Sequence, residues 1–263
     1  MSREGCIRLG VVSFLNARPL VAGLEHAPGV TLVYDVPSRL PGLLEAGRVD
    51  AALVPVVDLM ARGDRWQLVS DACIGCDGET YTVRVFSRCE PSQVTRLHVD
   101  GDSHTSVMLA RVIWREMFGV DLAIEPWGPS ASGEGCEAVL LIGDKVVSHR
   151  RPGLDHEFDL GAAWKALTGL PFVFAVWAAP TGAETTDLAA MLAQARDRGV
   201  RSAEMIAGDV GPGLGWPVEL ARRYLTMRLK FHLGPRQHEA MRRFFDYASR
   251  LSETPVRGEA ICA

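Results

Sequence analysis

The stretch LHVDGDSHTSVMLARVIWREMF (97–118) changes within a few residues from the pattern of a strand to that of a helix. LHVD is a short β-rich run, residues 101–106 are polar, and VMLARVIWREMF places apolar residues at helical spacing. Strand, loop and helix in this order predict an α/β protein. Ligands of such proteins bind beyond the carboxyl ends of the strands, which is where this polar loop lies.

The same order occurs near the beginning of the chain. IRLGVV (7–12) predicts a strand, Asn16 stands at an N-cap position, and residues 17–24 predict a helix. A second strand pattern covers residues 31–36. Residues 51–57 are apolar without interruption, which is typical of a parallel strand covered by helices on both faces. This part of the chain is therefore predicted to form one α/β unit.

Two longer β patterns, at 80–87 and 171–178, bracket a second α/β unit. This arrangement is expected when a chain leaves one domain, builds a second and returns, so that the hinge lies where the chain crosses. The predicted bounds are 1–87 with 177–263 for domain I, 88–176 for the inserted domain II, and 86–88 and 175–178 for the hinge. Helices are predicted to complete domain I at 186–198, 202–207, 216–230 and 235–251.

Composition limits the classes of partner. With 263 residues, 48% of them hydrophobic and 23% charged, the chain has enough apolar surface for a folded core. No apolar run is long enough for a membrane helix, and a net charge of -4 argues against nucleic acid or an anionic membrane as a partner. Six cysteines, and an N-terminus without the apolar segment of a signal peptide, predict a cytoplasmic protein with reduced thiols.

The sequence gives little support for a metal or cofactor site. Cys73 and Cys76 form a C-x-x-C in a predicted Gly-rich loop, but no second pair of cysteines follows at the spacing of a zinc site. The histidines form no H-E-x-x-H, and neither a Walker A motif nor G-x-G-x-x-G is present. We therefore expect no metal and no cofactor, and we expect the two cysteines to be buried or loop thiols.

Two polar clusters follow predicted strands. Ser13 and Asn16 come after the first strand, and Ser103, Thr105 and Ser106 come at the start of the helix in 97–118. A helix N-terminus with short hydroxyl side chains favours a carboxylate or phosphate. Plain N-capping is the alternative explanation, although it needs a single hydroxyl per helix. Together the clusters predict a small anionic ligand in the cleft between the domains.

The chain also resembles the chorismate dehydratase family of the futalosine route to menaquinone. The segments that carry the resemblance are VVSFLNARPL (11–20), VPSRL (36–40), GRVDAALVPVVD (47–58), HVDGDSHTSVMLARVI (98–113), AVLLIGD (138–144), FDLGAAWKALTGLPFVFAVWAA (158–179) and LGPRQHEAMRRFF (233–245). The resemblance implies a two-domain fold like that of type II periplasmic binding proteins, with a cleft between the domains and without an export signal. Family members typically have Ser in the hinge strand where this chain has Thr82.

The resemblance implies that the substrate is chorismate, which loses water to give 3-[(1-carboxyvinyl)oxy]benzoate without a metal or cofactor. The loop 103–106 is expected to hold one carboxylate, and Asn16 with Arg18 the other carboxylate or the hydroxyl. Thr82 is expected to be a further donor. For removal of the ring proton two alternatives stay open, namely Asp144 at the end of a strand and a carboxylate of the substrate itself.

Two other functions are compatible with the same sequence. One is a cytoplasmic module that binds a small anion without catalysis, because this fold supports many functions. The other is the sister enzyme of the pathway, 1,4-dihydroxy-6-naphthoate synthase. The D-S-H-T-S loop at 102–106 and the D-L-G-x-x-W segment at 159–164 favour the dehydratase over both.

Overall fold

Apolar strands of the chain form two separate β-sheets. The computed structural model describes residues 6–127, 136–148 and 153–253. The ends of predicted domain I, 1–5 and 254–263, lie outside the described residues, as do 128–135 and 149–152 of predicted domain II. The strands are β1 (Ile7–Val12), β2 (Val30–Asp35), β3 (Ala51–Pro55), β4 (Trp66–Cys76), β5 (Val83–Ser87), β6 (Arg96–Val99), β7 (Ala123–Pro126), β8 (Ala138–Ile142), β9 (His156–Asp159), β10 (Phe172–Pro180) and β11 (Leu229–His232).

Helices connect these strands and cover the sheets. The α-helices are α1 (Leu40–Glu45), α2 (Val56–Ala61), α3 (His104–Ile113), α4 (Lys145–Ser148), α5 (Leu160–Thr168), α6 (Thr186–Arg201), α7 (Ala203–Val210), α8 (Val218–Arg223) and α9 (Pro235–Glu253). Short 3₁₀ helices occur at Leu15–Val21, Pro91–Gln93 and Pro212–Leu214, and π-helical turns at Trp114–Phe118 and Tyr224–Arg228.

Each sheet contains parallel strands and an antiparallel strand that the chain forms directly after crossing from the other sheet. The first sheet has the order β11-β4-β10-β3-β1-β2 and the second the order β7-β6-β8-β5-β9. β1 is parallel to β2 and β3, and β6 is parallel to β7 and β8, whereas β10 and β5 run antiparallel to their neighbours. The α/β fold class predicted from the sequence is confirmed.

The predicted domain bounds stay a prediction, and strand pairing favours a crossing between the units slightly earlier in the chain at both places. All of β5 pairs in the second sheet and all of β10 in the first, so 175–178 lie inside β10, while 86–88 cover the end of β5 and the residue after it. The chain crosses between the sheets before each strand, at 77–82 and at 169–171, and Phe172 pairs directly with Cys76. Alternating residues predict a strand but not the sheet that it joins, which explains the difference. We propose the two crossings as the domain boundaries.

Three predicted elements differ from the structure. The helix expected at 17–24 is a 3₁₀ helix over Leu15–Val21, so Asn16 lies inside it and is not its N-cap. The Gly-rich segment with Cys73 and Cys76 is part of β4, not a loop. The helix expected over 216–230 ends earlier, because Leu229 to His232 alternate between buried and exposed residues and pair with β4. Their period of two was the sequence signal for a strand.

A close contact fixes the 3₁₀ helix that carries Asn16. Gly199 of α6 packs against Pro19 so tightly that a Cβ on Gly199 would lie 1.9 Å from the Pro19 carbonyl oxygen. Arg198 adds a hydrogen bond, because its Nε donates to the Ala22 carbonyl oxygen at 3.1 Å. A helix from the last third of the chain therefore positions the loop after β1.

We predict that Gly199→Ala lowers the free energy of unfolding by about 1–3 kcal/mol, because the added methyl group must displace the backbone at Pro19. Gly208→Ala in α7 is the matched control, since a Cβ there meets nothing within 4 Å. It should raise the free energy of unfolding by up to about 1 kcal/mol through helix propensity. Urea denaturation measures both. Equal effects of the two substitutions would contradict the packing argument.

Candidate active site

A pocket lies between the two sheets and receives residues from both. Its cavity volume is about 40 Å³. Its polar lining residues are Asn16, Thr80, Thr82, Ser103, Ser106 and Tyr224. Its other lining residues are Val12, Phe14, Pro37, Pro55, Ile74, Val83, Ile142, Gly143, Phe174, Ala175 and Leu229. The carboxyl ends of parallel strands from both sheets thus meet at one pocket, as expected for ligand sites of α/β proteins.

The N-terminus of α3 opens into this pocket through two serines. Ser103 is the N-cap, and its Oγ accepts a hydrogen bond from the Ser106 N–H at 3.1 Å. The Ser103 hydroxyl donates in turn to Ser106 Oγ at 2.9 Å. Ser103 therefore caps the helix, while the hydroxyl hydrogen of Ser106 stays available to a ligand. The partial positive charge of the helix end favours an anion here.

Thr82 contacts a tyrosine that the sequence analysis did not select. The Thr82 Oγ1 and the Tyr224 hydroxyl oxygen are 2.6 Å apart, and both residues are buried. Burial raises the pKa of Tyr224, and the nearby Asp144 carboxylate adds to this, against hydrogen bonds from Thr82 and Asn16 that lower it. The phenol therefore stays protonated at neutral pH and is able to donate a hydrogen bond.

Asn16 presents an unused acceptor at the same pocket. Its Oδ1 is buried, and within the described parts of the chain it has no hydrogen-bond partner. A buried polar atom without a partner costs free energy unless a bound group satisfies it. An O–H or N–H group of a ligand in the pocket is the partner that this oxygen fits.

Asp144 follows β8 but lies outside the pocket wall. Its Oδ1 accepts hydrogen bonds from the Leu15 N–H at 3.2 Å and from the Trp216 indole N–H at 2.8 Å. Burial raises the pKa of Asp144, while these two hydrogen bonds and the charge of Arg18 act in the opposite direction. The carboxylate therefore bridges the second sheet to elements packed on the first.

Two further contacts join the two units at the N-terminus of α3. The Thr105 Oγ1 accepts a hydrogen bond from the Val57 N–H at 3.4 Å. Thr105 is not among the residues that line the pocket. His104 Nδ1 lies 2.7 Å from Asp58 Oδ2, and Asp58 also pairs with Arg62 at 2.8 Å. The hydrogen bond with Asp58 raises the pKa of His104, whereas burial and the charge of Arg62 lower it. The N-terminus of α3 is thus also a contact between the two units.

Ser13 and Arg18 complete the predicted set, and neither is among the residues that line the pocket. The Arg18 Nη2 donates to the Ser13 carbonyl oxygen at 3.5 Å, and its guanidinium lies 4.3 Å from the centre of the Tyr34 ring. Of the eight predicted site residues, the structure brings Asn16, Thr82, Ser103 and Ser106 together. Their contact with a substrate remains a prediction.

Tyr224 and Trp216 were missed by the sequence analysis. Their rings stack with centroids 4.8 Å apart and planes inclined by 16°, and Tyr224 lines the pocket. They lie in a segment for which a helix was predicted throughout, and no motif there indicates chemistry. Their relation to Thr82 and Asp144 arises from tertiary packing alone.

The described residues offer no group of three or more His, Cys, Asp or Glu side chains that could hold a metal ion.

Cys73 and Cys76 are buried thiols, and burial raises the pKa of Cys73 to about 12. Burial raises the pKa of Cys76 as well, so neither thiol has the lowered pKa that is typical of a nucleophilic cysteine. Among the helices of the described segments, none has the length and hydropathy needed to span a membrane.

Two α/β units with a polar pocket between them define the class of periplasmic-binding-protein-like folds. A Candida albicans protein described as having the generic periplasmic binding protein fold superposes with a TM-score of 0.61 at 11% identity, covering 94% of this chain and 91% of that one. A protein from Archaeoglobus fulgidus superposes with a TM-score of 0.76 at 15% identity, covering 95% and 99%. The predicted two-domain fold is thereby confirmed.

The chain belongs to the menaquinone biosynthesis family, whose model matches residues 7–250. A relative in Thermus thermophilus named chorismate dehydratase is 27% identical over 242 residues, which cover 86% of this chain and 89% of that protein. The resemblance found in the sequence is therefore confirmed. The protein is therefore an enzyme of menaquinone biosynthesis, and it has a binding-protein-like fold.

The His104–Asp58 contact predicts a pH dependence of stability. A histidine whose pKa is raised on folding stabilises the protein fully below its unfolded value of 6.5, and this stabilisation is lost as the pH rises through the folded value. Between pH 6.5 and about 8.5, wild type should therefore lose more thermal stability than His104→Gln. His26→Gln, at an exposed position, is the control and should follow wild type. Parallel melting curves for wild type and His104→Gln would refute the assignment.

Proposed function

We propose that this protein is a hydro-lyase that converts chorismate to 3-[(1-carboxyvinyl)oxy]benzoate and water in the futalosine route to menaquinone, and that it acts in the cytoplasm. The family and the Thermus relative support the pathway and the substrate. The five free cysteines among the described residues fit a reducing compartment. Chorismate as a small-molecule partner requires a site for two carboxylates, a carbon ring and a hydroxyl group.

The observation that carries the proposal is the chemistry of the pocket wall. Its polar groups are hydroxyls, an amide and a helix N-terminus, and among the residues that the structure describes none of those lining the pocket carries an ionised side chain. The apolar part of the wall suits the carbon ring, and the Ser106 hydroxyl at the α3 N-terminus suits a carboxylate. Asn16, Thr82 and Tyr224 form a polar group that suits the hydroxyl that departs.

In the proposed reaction a ring C–H bond and the C–OH bond break, and the electron pair of the C–H bond forms the new ring double bond. The ring becomes aromatic, which supplies the driving force. Because the described part of the pocket wall provides no carboxylate or imidazole, the enolpyruvyl carboxylate of the substrate is the proposed base. We expect one hydroxyl of the Tyr224–Thr82 pair to donate a hydrogen bond to the departing hydroxide, because the 2.6 Å contact between the two oxygens uses the hydrogen of the other.

Turnover of chorismate is the direct test. Purified protein incubated with chorismate should give a product lighter by one water, detected by mass spectrometry. Asn16→Leu, similar in size but without the amide, should reduce turnover by about a hundredfold or more. Binding of chorismate without turnover by wild type would contradict the proposal and indicate a binding module. Conversion of a futalosine-derived compound to 1,4-dihydroxy-6-naphthoate would instead indicate the sister enzyme.

The two serines of α3 should separate binding from stability. Ser106→Ala should weaken chorismate binding by about ten- to a hundredfold, because a hydrogen bond to a charged group contributes roughly 1.5–3 kcal/mol. Its melting temperature should hardly change. Ser103→Ala is the matched variant and should lower stability by about 1 kcal/mol, because it removes the N-cap. Calorimetric titration and thermal unfolding measure the two effects, and unchanged affinity of Ser106→Ala would exclude its role in binding.

A further inference from the structure

A single carboxylate oxygen spans the cleft beside the pocket. Asp144 follows β8 of the second sheet. Leu15 lies in the 3₁₀ helix that packs on β1 of the first sheet, and Trp216 precedes α8, which packs on α7 and through it on that 3₁₀ helix. Both of their N–H groups donate to the same atom, Asp144 Oδ1, at 3.2 and 2.8 Å. This arrangement exists only when the two units lie against each other. Gly143, which directly precedes Asp144, also shows how close the units are, since a Cβ on it would lie 2.5 Å from the Phe14 ring.

Each of the two donors adjoins a polar residue of the pocket. Leu15 directly precedes Asn16 in the 3₁₀ helix, so the hydrogen bond from the Leu15 N–H fixes the backbone that carries the Asn16 amide. The Trp216 ring stacks on Tyr224, whose hydroxyl contacts Thr82 Oγ1. Asp144 is thus connected to both sides of the polar group that faces the substrate, without lining the pocket itself.

The chemistry of the contact suits a switch between open and closed arrangements. A partly buried carboxylate is stable only when donors replace the water that it loses. When the units separate, Asp144 regains water and the two N–H groups lose their shared acceptor. Closing the cleft therefore forms the two hydrogen bonds at the same time as it excludes water from the pocket.

We propose that Asp144 is a positioning residue that couples closure of the cleft to the orientation of Asn16 and Thr82. This inference rests on the proposed dehydration for its kinetic readout, but the closure itself is measurable without turnover. In this proposal Asp144 accepts hydrogen bonds and does not remove the ring proton.

The Asn and Ala variants of Asp144 distinguish these roles. Asp144→Asn keeps an oxygen that accepts both hydrogen bonds, so turnover should stay within about tenfold of wild type. Asp144→Ala removes the acceptor, so kcat/KM should fall by about a hundredfold, with at least part of the loss in KM. If Asn reduces kcat as much as Ala does while chorismate affinity is unchanged, Asp144 is the base and the proposal is wrong.

A third variant keeps the inference testable if Asp144→Ala fails to fold. Trp216→Phe removes the indole N–H and keeps a ring to stack on Tyr224, so it should reduce kcat/KM by about tenfold with little change in melting temperature. Trp216→Phe kinetics equal to wild type would overturn the coupling.

Small-angle X-ray scattering tests closure independently of the reaction. Wild type and Asp144→Asn should have the same radius of gyration, and a folded Asp144→Ala should be larger in the absence of substrate. Equal radii for all three proteins would overturn the inference, whether or not chorismate is the substrate. Failure of wild type to dehydrate chorismate, with the expected change in radius, would instead remove the proposed function and leave the closure contact in place.

Discussion

The Asp159 carboxylate holds the backbone at the point where the chain crosses between the sheets. Its Oδ1 accepts hydrogen bonds from the N–H groups of Thr80 and Ala162, each at 3.0 Å, and its Oδ2 accepts one from the Tyr81 N–H at 2.9 Å. It thereby caps α5 and holds Tyr81 at a φ of 73°, a conformation that a bulky side chain rarely adopts. The next residue is Thr82, which lines the pocket and whose carbonyl oxygen also accepts a hydrogen bond from the Gly143 N–H at 2.9 Å.

The sequence predicted the elements of the fold better than their connections. The strand, loop and helix of 97–118 and the final helix follow from periodic apolar residues, because burial of one face is a local pattern. The crossing points do not follow, since 77–82 and 169–171 are recognised only by which strands pair. β11 escaped notice because four residues between helical patterns give too short a signal.

For the candidate site, the division between predicted and missed residues has a physical cause. Asn16, Ser103 and Ser106 follow strands, and the carboxyl end of a strand is a place that the sequence reveals. Tyr224 reaches the pocket from a π-helical turn at the far end of the chain, which the alternation of residues does not indicate. Asp144 was correctly placed at a strand end, but its partners Leu15 and Trp216 are 129 and 72 residues away in sequence. Its donors are therefore visible only in the folded protein.

Two carboxylates lie close to the uncharged pocket, and one lysine offsets part of their negative charge. Asp100 and Asp102 lie just before the α3 N-terminus, where two free carboxylates would repel an anionic ligand. Both accept hydrogen bonds from Lys145 Nζ, and these bonds raise the pKa of Lys145 even though burial lowers it. The Asp102 carbonyl oxygen also accepts a hydrogen bond from the Ser38 N–H of the other unit at 3.0 Å. The residues beside Asp144 and before Ser103 thus form one cluster, in which Lys145 offsets part of the negative charge and the Asp102 carbonyl oxygen joins the two units.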